Sequence, residues 1–330
     1  MSKNNNDLFV RTPLIESLEL SQCCNNKVYL KLESCQPSAS FKMRGVGRLC
    51  QQGALEGRDQ IISSSGGNAG LATACAARML GLECRVFVPK TTSSVTREKI
   101  AREGAEVVIA GEVWNEANDM ALKAVQQSPN CLYVHPFDNP ILWSGHSTMI
   151  DEIAEDLDVK PSMIVTCCGG GGLLCGIIEG MRRHGWTSVP VLAMETIGAD
   201  SLNAAVVAAN GETVRPVRIP AITSIAKSLG SLIICDQLAA DCTTAAPPVL
   251  SHLCTDSDAV DACIRFADQH RILVELACGA SLSALYTGLV KRLFLENSDQ
   301  YSDGPVVVII CGGASVTIDM LNEWKTQFNL

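Results

Sequence analysis

Met163-Ile164-Val165-Thr166-Cys167-Cys168-Gly169-Gly170-Gly171-Gly172-Leu173-Leu174 is the stretch of this sequence that decides the fold. An apolar, β-branched run of strand length leads into four consecutive glycines, and apolar residues then continue at helical spacing to Arg183. Glycine lets the backbone approach a ligand closely, and the N–H groups at the start of a helix bind anions. The stretch therefore predicts a strand, a phosphate-binding loop and a helix. The alternative is a glycine-lined packing turn that binds nothing.

Two familiar phosphate motifs are excluded by counting residues. A nucleotide-binding P-loop requires Gly-Lys-Ser/Thr at its end, whereas Leu173 and Leu174 follow these glycines. The dinucleotide fingerprint needs glycines at offsets 0, 2 and 5, and the last of these places falls on Leu174 or Cys175. A nicotinamide-dependent oxidoreductase is therefore disfavoured.

The same order of strand, small-residue loop and helix recurs along the chain. Further strands are predicted at residues 28–33, 61–63, 84–88, 106–109, 191–195 and 306–310. Strands that alternate with helices of this length predict an α/β fold, with two open twisted α/β domains and mainly parallel sheets. The turn-rich segment from His135 to Pro140 is a candidate crossing between the domains.

A lysine stands in an unusual setting in Ser38-Ala39-Ser40-Phe41-Lys42-Met43-Arg44-Gly45. An amine attacks a carbonyl compound only when it is deprotonated, and burial beside apolar or cationic neighbours lowers a lysine pKa toward that state. Phe41 and Met43 supply apolar neighbours, and Arg44 supplies a positive charge. Lys42 is therefore a candidate nucleophile, and a surface lysine in a turn is the alternative.

Two further positions could carry chemistry. The loop Ser64-Ser65-Gly66-Gly67-Asn68-Ala69-Gly70 offers hydroxyls, N–H groups and an amide that suit a carboxylate, although ordinary helix capping by serine and asparagine would explain them too. Cys311 follows a predicted strand, where open α/β sheets place ligands, and a buried core cysteine is the alternative. The five histidines show no metal-ligand spacing and receive no role.

Composition restricts the possible partners and the compartment. The 330 residues are 47% hydrophobic and 18% charged, with a net charge of −9 and no basic block, so neither nucleic acid nor an anionic membrane surface is expected as a partner. The start is polar, without an apolar core for a signal peptide, and the apolar runs are too short to span a membrane. The 16 cysteines include no C-x-x-C pair. We expect reduced, mostly buried thiols in a cytoplasmic protein.

Taken together, these motifs resemble a known family. Ser-x-Ser-Phe-Lys-x-Arg-Gly, Ser-Gly-Gly-Asn-Ala-Gly, the glycine tetrad and Cys-Gly-Gly resemble the pyridoxal-phosphate enzymes of fold type II, the tryptophan synthase β-like group. Within that group the chain is similar to the eukaryotic L-serine/L-threonine dehydratases, including the serine dehydratase-like branch. The resemblance extends from about Thr12 to the C-terminal helix.

The resemblance implies a role for each matching residue. Lys42 would hold pyridoxal 5'-phosphate as an internal aldimine and act as the catalytic base, with Phe41 against the ring. Asn68 would bond the 3′-oxygen, and Cys311 would face the ring nitrogen. The phosphate would bind to Gly169, Gly170, Gly171, Gly172 and Leu173, the substrate to Ser40, Ser65, Gly66 and Gly67, and a monovalent cation such as K+ to Glu195, Ala199, Ser201, Leu229 and Ser231.

The resemblance also implies an activity and an architecture. The activity is α,β-elimination from L-serine or L-threonine, giving pyruvate or 2-oxobutyrate and ammonia, in amino-acid catabolism and gluconeogenesis. Residues 1–40 and 145–330 would form a large cofactor-binding domain and 41–144 a smaller substrate-side domain, in a homodimer. Serine racemase, a β-replacement enzyme such as cysteine synthase, threonine synthase, or a weakly active pyridoxal-phosphate-binding protein remain alternatives.

Five positions depart from the pattern of the resembled enzymes. His135 and Leu276 stand where proline is common, and Ala314-Ser315 stand where Ser-Asn is frequent. Gly66 stands where the liver-type enzymes usually have alanine, which favours the dehydratase-like branch. The change at Ala314-Ser315 lies beside the predicted ring-nitrogen residue, and it is the reason for keeping the weakly active alternative.

Overall fold

The computed structural model describes residues 7–296 and 303–330, which contain ten strands and thirteen α-helices. The strands are β1 (Leu14–Glu16), β2 (Val28–Leu32), β3 (Gln60–Ser63), β4 (Glu83–Val88), β5 (Glu106–Ile109), β6 (Cys131–Val134), β7 (Met163–Cys167), β8 (Val191–Thr196), β9 (Val249–Cys254) and β10 (Val306–Ile310). The helices are α1 (Leu18–Cys24), α2 (Lys42–Leu55), α3 (Asn68–Leu80), α4 (Ser94–Arg102), α5 (Trp114–Gln127), α6 (Pro140–Asp156), α7 (Gly172–Arg183), α8 (Ser201–Ala209), α9 (Asp236–Thr244), α10 (Asp256–His270), α11 (Leu276–Tyr286), α12 (Leu289–Glu296) and α13 (Ile318–Gln327).

The chain forms two compact units. The first contains residues 7–10, 35–146 and 313–315, and the second contains the remaining described residues. The boundary after residue 146 falls inside α6, so the turn-rich segment from His135 to Pro140 belongs wholly to the first unit. The sequence-based division at 40/41 and 144/145 differs from these bounds. Its assignment of cofactor binding to one part and substrate binding to the other stays a prediction.

The first unit is built on a sheet of four parallel strands in the order β5-β4-β3-β6. Successive residues of a strand point to opposite faces, so Ile61 and Ile62 of β3 enter two different cores. Ile61 packs in a cluster with residues of α2 and α3, and Ile62 packs in a cluster with α5. Both side chains are fully buried, which contributes about 1.5–3 kcal/mol each. These two layers fix the carboxyl end of β3, from which the predicted carboxylate loop starts.

The second unit contains a six-stranded sheet in the order β1-β2-β10-β7-β8-β9. Strand β1 runs antiparallel to β2, and all other neighbours are parallel. Every residue of β7 and β10 is buried, which explains why these strands appear in the sequence as continuous apolar runs without alternation. The predicted α/β class with mainly parallel sheets is confirmed.

Two global features complete the fold. Over the described ranges, no helix combines the length and the apolar character that crossing a bilayer requires. All sixteen cysteines are free thiols: thirteen are buried, Cys23 and Cys242 are partly buried, and Cys35 is exposed. Buried thiols behave as small hydrophobic side chains, which is the role the sequence predicted for them.

Candidate active site

Lys42 is the first residue of α2 and lies in the first unit. Its side chain is half-buried, and Nζ donates a hydrogen bond to the carbonyl oxygen of Pro136. The loop before it is strained at Ala39, whose φ of 59° is rare for a residue with a Cβ and costs about 1–2 kcal/mol. The Ala39 carbonyl accepts a hydrogen bond from Gly313 N–H at 2.7 Å, which helps to hold this conformation. The backbone of the loop before Lys42 is thus held in one conformation.

Two imidazoles that the sequence left without a role lie near Lys42. His146 is completely buried, and its ring meets Phe41 edge-on with 4.9 Å between centroids. Burial, followed by the charges of Lys42 and Arg44, lowers the pKa of His146 well below its usual value. Burial and the charge of Lys42 lower the pKa of His135 to about 4. Both rings are therefore neutral at pH 7 and add no positive charge around the amine.

Two hydroxyls in the loop before Lys42 are buried without a hydrogen-bond partner. They are Ser38 Oγ and Ser40 Oγ, in side chains that are 3% and 1% exposed. Buried polar groups are nearly always bonded to protein, water or ligand, so such a pair indicates that something polar binds next to them. Ser40 was predicted from the sequence to bind substrate. Ser38 was not, although its place in the same hydroxyl cluster was a usable signal.

The loop between β3 and α3 ends at the helix N-cap Gly67, which has no side chain to cap the helix. Ser65 Oγ accepts from the Gly67 N–H at 3.3 Å, and Asn68 Oδ1 accepts from the Ala314 N–H at 3.1 Å. The second contact uses the Asn68 side-chain oxygen as an acceptor and so fixes the orientation of the amide. A Cβ on Gly66 would lie 2.3 Å from Thr92 Oγ1. Thr92 therefore fills the space that a side chain at residue 66 would need.

The glycine tetrad lies in the second unit between β7 and α7. Its N-cap residue Gly171 has φ of 105°, a conformation that favours glycine, and the helix has no side-chain cap. A Cβ on Gly171 would meet Leu238 Cδ2 at 2.9 Å and Cys235 Sγ at 3.1 Å. The backbone is held from the other side, because Cys235 N–H donates to the Gly170 carbonyl at 3.0 Å. The result is an uncapped helix N-terminus on a fixed, side-chain-free loop, which suits an anion.

Cys311 follows β10 in the second unit and is 3% exposed. Its Sγ lies 3.1 Å from Cys278 Sγ and 3.7 Å from Cys167 Sγ, and Cys167 ends the neighbouring strand β7. Hydrogen bonds between Cys311 and these two thiols, together with burial, raise the pKa of Cys311 well above its usual value. Cys311 is thus a neutral thiol. The flanking cysteines come from distant parts of the chain, so sequence spacing gave no signal for them.

The predicted cation ligands also lie in the second unit. Glu195 of β8 is fully buried and accepts from Leu202 N–H at 2.9 Å and Asn203 N–H at 2.7 Å, at the start of α8. Burial raises its pKa to about 8. Ser201 Oγ is buried without a hydrogen-bond partner, whereas Ser231 Oγ donates to the Ile233 carbonyl at 2.7 Å. The carbonyl of Leu229 lies 3.4 Å from the place of a Cβ on Gly169.

Metal binding by side chains is not indicated in the described part of the chain. Residues 7–296 and 303–330 contain no group of three or more His, Cys, Asp or Glu side chains arranged to hold a metal ion. A site formed mainly by carbonyl and hydroxyl oxygens, as expected for a monovalent cation, is a different arrangement.

Comparison with known proteins supports the assignment of the lysine and the loops to one family. A family model for pyridoxal-phosphate dependent enzymes matches residues 6–312. The chain is 42% identical over 323 residues to a mouse L-serine dehydratase/L-threonine deaminase, covering 98% of this chain and 97% of that protein. It is 43% identical over 319 residues to a mouse serine dehydratase-like protein, covering 96% and 94%.

A solved structure agrees with these relatives. A fungal L-serine ammonia-lyase from Rhizomucor miehei superimposes with a TM-score of 0.87 at 35% identity, covering 97% of this chain and 99% of that one. The resemblance that the sequence motifs indicated is confirmed.

Proposed function

The chain belongs to the pyridoxal-phosphate-dependent enzymes, and we propose that it is an L-serine dehydratase that also accepts L-threonine. The products are pyruvate or 2-oxobutyrate, together with ammonia. The observation that carries this proposal is the setting of Lys42, a half-buried amine at a helix start beside the buried, unpartnered hydroxyls of Ser38 and Ser40. Relatives that are similar over nearly the whole chain carry dehydratase names, which supports the same reaction.

The residues fit pyridoxal phosphate on three counts. The tetrad from Gly169 to Gly172 forms a loop whose helix N-terminus is uncapped, as a phosphate requires. Cys311 is a neutral thiol, so it can face a ring nitrogen without fixing a proton there. Phe41 lies beside Lys42, with the amine 5.1 Å from the ring centroid. In the proposal Asn68 bonds the cofactor's 3′-oxygen and Leu173 N–H joins the phosphate site.

The bound cofactor supplies an electron sink that acidifies the substrate's α-carbon. Lys42 would hold the cofactor covalently and, as a free amine, would take the proton from the substrate's Cα. The N–H groups of Gly66 and Gly67 with the Ser65 hydroxyl hold the substrate carboxylate, and Ser40 holds the substrate's polar end. The β-hydroxyl and the proton removed from Cα would leave together as water, and hydrolysis of the resulting enamine would give the 2-oxo acid and ammonia.

A monovalent cation is the second part of the proposal. Glu195, Ala199, Ser201, Leu229 and Ser231 would bind K+ through oxygen atoms. The fully buried Glu195 carboxyl and the unpartnered Ser201 hydroxyl support this, because a cation would satisfy both. Replacing K+ by Li+ should then lower the melting temperature of the wild-type protein. In a Glu195→Gln variant the same exchange should have little effect.

The remaining features of the proposal concern assembly and physiology. We propose a cytoplasmic homodimer that acts in amino-acid breakdown and supplies 2-oxo acids to gluconeogenesis. Reduced, largely buried thiols support a reducing compartment. Analytical ultracentrifugation of the holoenzyme tests the dimer.

The central experiment follows Lys42 directly. Purified protein is mixed with pyridoxal phosphate, reduced with borohydride and digested, and the modified lysine is identified by mass spectrometry. Pyruvate, ammonia and D-serine are measured in parallel with L-serine as substrate. We expect modification at Lys42, pyruvate with equimolar ammonia, and loss of both signals in Lys42→Ala but not in Lys90→Ala, an exposed-lysine control.

Other outcomes contradict the proposal in distinct ways. Ammonia release by Lys42→Ala at the wild-type rate would refute the role of the lysine. Predominant D-serine would assign a racemase, and modification of Lys42 without turnover of either amino acid would assign a weakly active pyridoxal-phosphate-binding protein.

A further inference from the structure

His135 lies directly after β6, at the start of the segment that carries the acceptor for Lys42. Its Nδ1 accepts two backbone hydrogen bonds, from Asp138 N–H at 2.8 Å and from Phe137 N–H at 3.3 Å. Pro136 lies between His135 and these two donors in the chain, and its carbonyl accepts a hydrogen bond from Lys42 Nζ. The imidazole therefore closes the turn on which the lysine's acceptor sits.

The rest of the turn is anchored independently. Trp143 Nε1 donates to the Phe137 carbonyl at 2.8 Å, and Asn139 Oδ1 accepts from Ile141 N–H at 2.8 Å. These contacts hold the later part of the turn against the first residues of α6. His135 supplies the contact that ties the turn back to the end of β6. Without it, the turn would keep its contacts with α6 and would lose the side-chain hydrogen bonds that tie residues 137 and 138 back to residue 135.

The chemical state of the ring suits this role. An imidazole nitrogen that accepts hydrogen bonds must carry its lone pair, so the ring proton sits on Nε2. The pKa of His135 is lowered to about 4 by burial and by the charge of Lys42, so the acceptor persists at neutral pH. The ring also packs edge-on against Phe137, with 4.7 Å between centroids. The His135 side chain thus packs against an aromatic ring and also accepts hydrogen bonds from backbone N–H groups. Mutation can separate these two roles.

We propose that His135 is a positioning residue for the reactive lysine: through its two backbone hydrogen bonds it fixes the Pro136 carbonyl and, through that carbonyl, the place of the Lys42 amine. The inference rests on the proposed role of Lys42 in binding pyridoxal phosphate. His135 touches neither substrate nor cofactor in this role. It acts by limiting the positions that the amine samples before it reacts.

Two substitutions separate the acceptor from the aromatic ring. His135→Asn retains a side-chain acceptor that can bond N–H groups two and three residues later, as asparagine does in turns. His135→Phe retains a ring of similar size but removes the acceptor. Lys42 capture is measured as the rate at which pyridoxal phosphate becomes fixed to that residue by borohydride, and hydrogen exchange is measured on the peptide containing Phe137 and Asp138.

We expect His135→Phe to slow capture about three- to tenfold, the effect of losing such a hydrogen bond, and to speed exchange in the 137–138 peptide. His135→Asn should remain within about twofold of wild type in both measurements. Thermal melting of both variants controls for folding, and the exchange measurement stands even if one variant binds no cofactor.

Each contrary outcome has one meaning. Wild-type capture and exchange rates in His135→Phe would overturn the inference. So would equal slowing in both variants, because a side-chain acceptor at residue 135 would then give no advantage over a ring without one. If wild-type protein is not modified at Lys42, the proposed function fails, whereas the exchange comparison still decides whether His135 closes the turn.

Discussion

Two glycine loops invite comparison, one in each unit. Both follow a buried parallel strand and both open a helix without a side-chain cap, at Gly67 before α3 and at Gly171 before α7. In the second unit Gly171 is required by its backbone conformation, with φ of 105°. In the first unit Gly66 and Gly70 have no positive φ but have no room for a Cβ. Similar sequences of small residues therefore arise from two different physical demands, conformation in one loop and space in the other.

Gly70→Ala should reduce stability more than any other substitution considered, because the added Cβ would clash with a backbone atom. A Cβ there would lie 1.9 Å from the Ser65 carbonyl oxygen, which cannot rotate away as a side chain can. We expect a loss of about 3 kcal/mol in the free energy of unfolding, measured by urea denaturation. Gly67→Ala is the control, since its Cβ would meet only Ser65 Oγ at 4.0 Å. An unchanged midpoint for Gly70→Ala would contradict the steric argument.

Gly171→Ala should have the second-largest effect on stability, and it tests whether the positive φ at residue 171 requires glycine. The left-handed φ and the 2.9 Å approach to Leu238 together should cost about 2 kcal/mol and weaken pyridoxal-phosphate binding about tenfold. The matched variant is Gly169→Ala, whose Cβ would make an ordinary contact with the Leu229 carbonyl at 3.4 Å. Cofactor titration by fluorescence distinguishes them. Equal effects of the two substitutions would contradict a special need for glycine at residue 171, and would indicate that every position of the tetrad lacks room for a Cβ.

The contrast between the units extends to buried ionisable groups. The lowered pKa of His135 means that the unfolded chain binds more protons between about pH 6.5 and 4, so the stability it contributes is present above pH 6.5 and lost as the pH falls. The raised pKa of Glu195 works in the opposite direction, and stability is lost as the pH rises from about 4.5 to 8. The two effects therefore oppose each other in the wild-type chain.

Replacing either His135 or Glu195 should reveal the pH dependence of stability that the other residue produces. In buffer free of K+ and Na+, we expect Glu195→Gln to lose stability between pH 7.5 and pH 5, measured by urea unfolding, with about 2 kcal/mol of the loss from His135. His135→Asn should instead gain stability over the same change, because the contribution of Glu195 remains. His146, whose pKa is also lowered by burial, increases the loss in Glu195→Gln and reduces the gain in His135→Asn. A flat pH profile for Glu195→Gln would show that neither histidine is protonated less readily in the folded state.

Gly66→Ala should reduce stability least, because the added Cβ would clash with a side chain, which can move, and not with the backbone. The new Cβ would lie 2.3 Å from Thr92 Oγ1, and Thr92 can rotate or shift at a cost of about 1 kcal/mol. We expect a higher KM for L-serine, with recovery in the double variant Gly66→Ala/Thr92→Ala. Thr92→Ala alone completes the cycle and measures the coupling between the two positions. Purely additive effects would contradict direct contact.

The sequence predicted those parts of the molecule that depend on neighbouring residues. Strands at Glu106–Ile109, Met163–Cys167 and Val306–Ile310 were located to the residue, because short apolar runs with flanking glycine or charge leave few alternatives. Strand β9 was missed because Val249–Cys254 is only partly buried and includes His252, so its apolar signal is weak. The predicted division at 144/145 and the end of the first unit at residue 146 both fall inside α6.

Contacts between distant segments could not be predicted in the same way. Local patterns were enough to predict roles for Lys42 and both glycine loops, whereas the surroundings of these residues depend on packing. Nothing near Gly66 in the sequence indicates that Thr92 fills the missing side chain's space. Histidine spacing was tested only for metal binding, and therefore His135 and His146 were passed over, although both lie near the lysine in the folded chain.

The return of residues 313–315 to the first unit has a consequence for biosynthesis. Gly313 N–H bonds the Ala39 carbonyl and Ala314 N–H bonds Asn68, so the segments on either side of Lys42 receive these donors only after residues 313 and 314 have been synthesised. A nascent chain can assemble the four-stranded sheet earlier, because all four of its strands precede residue 135. The loop before Lys42 stays without these two donors until the segment that follows β10 has emerged.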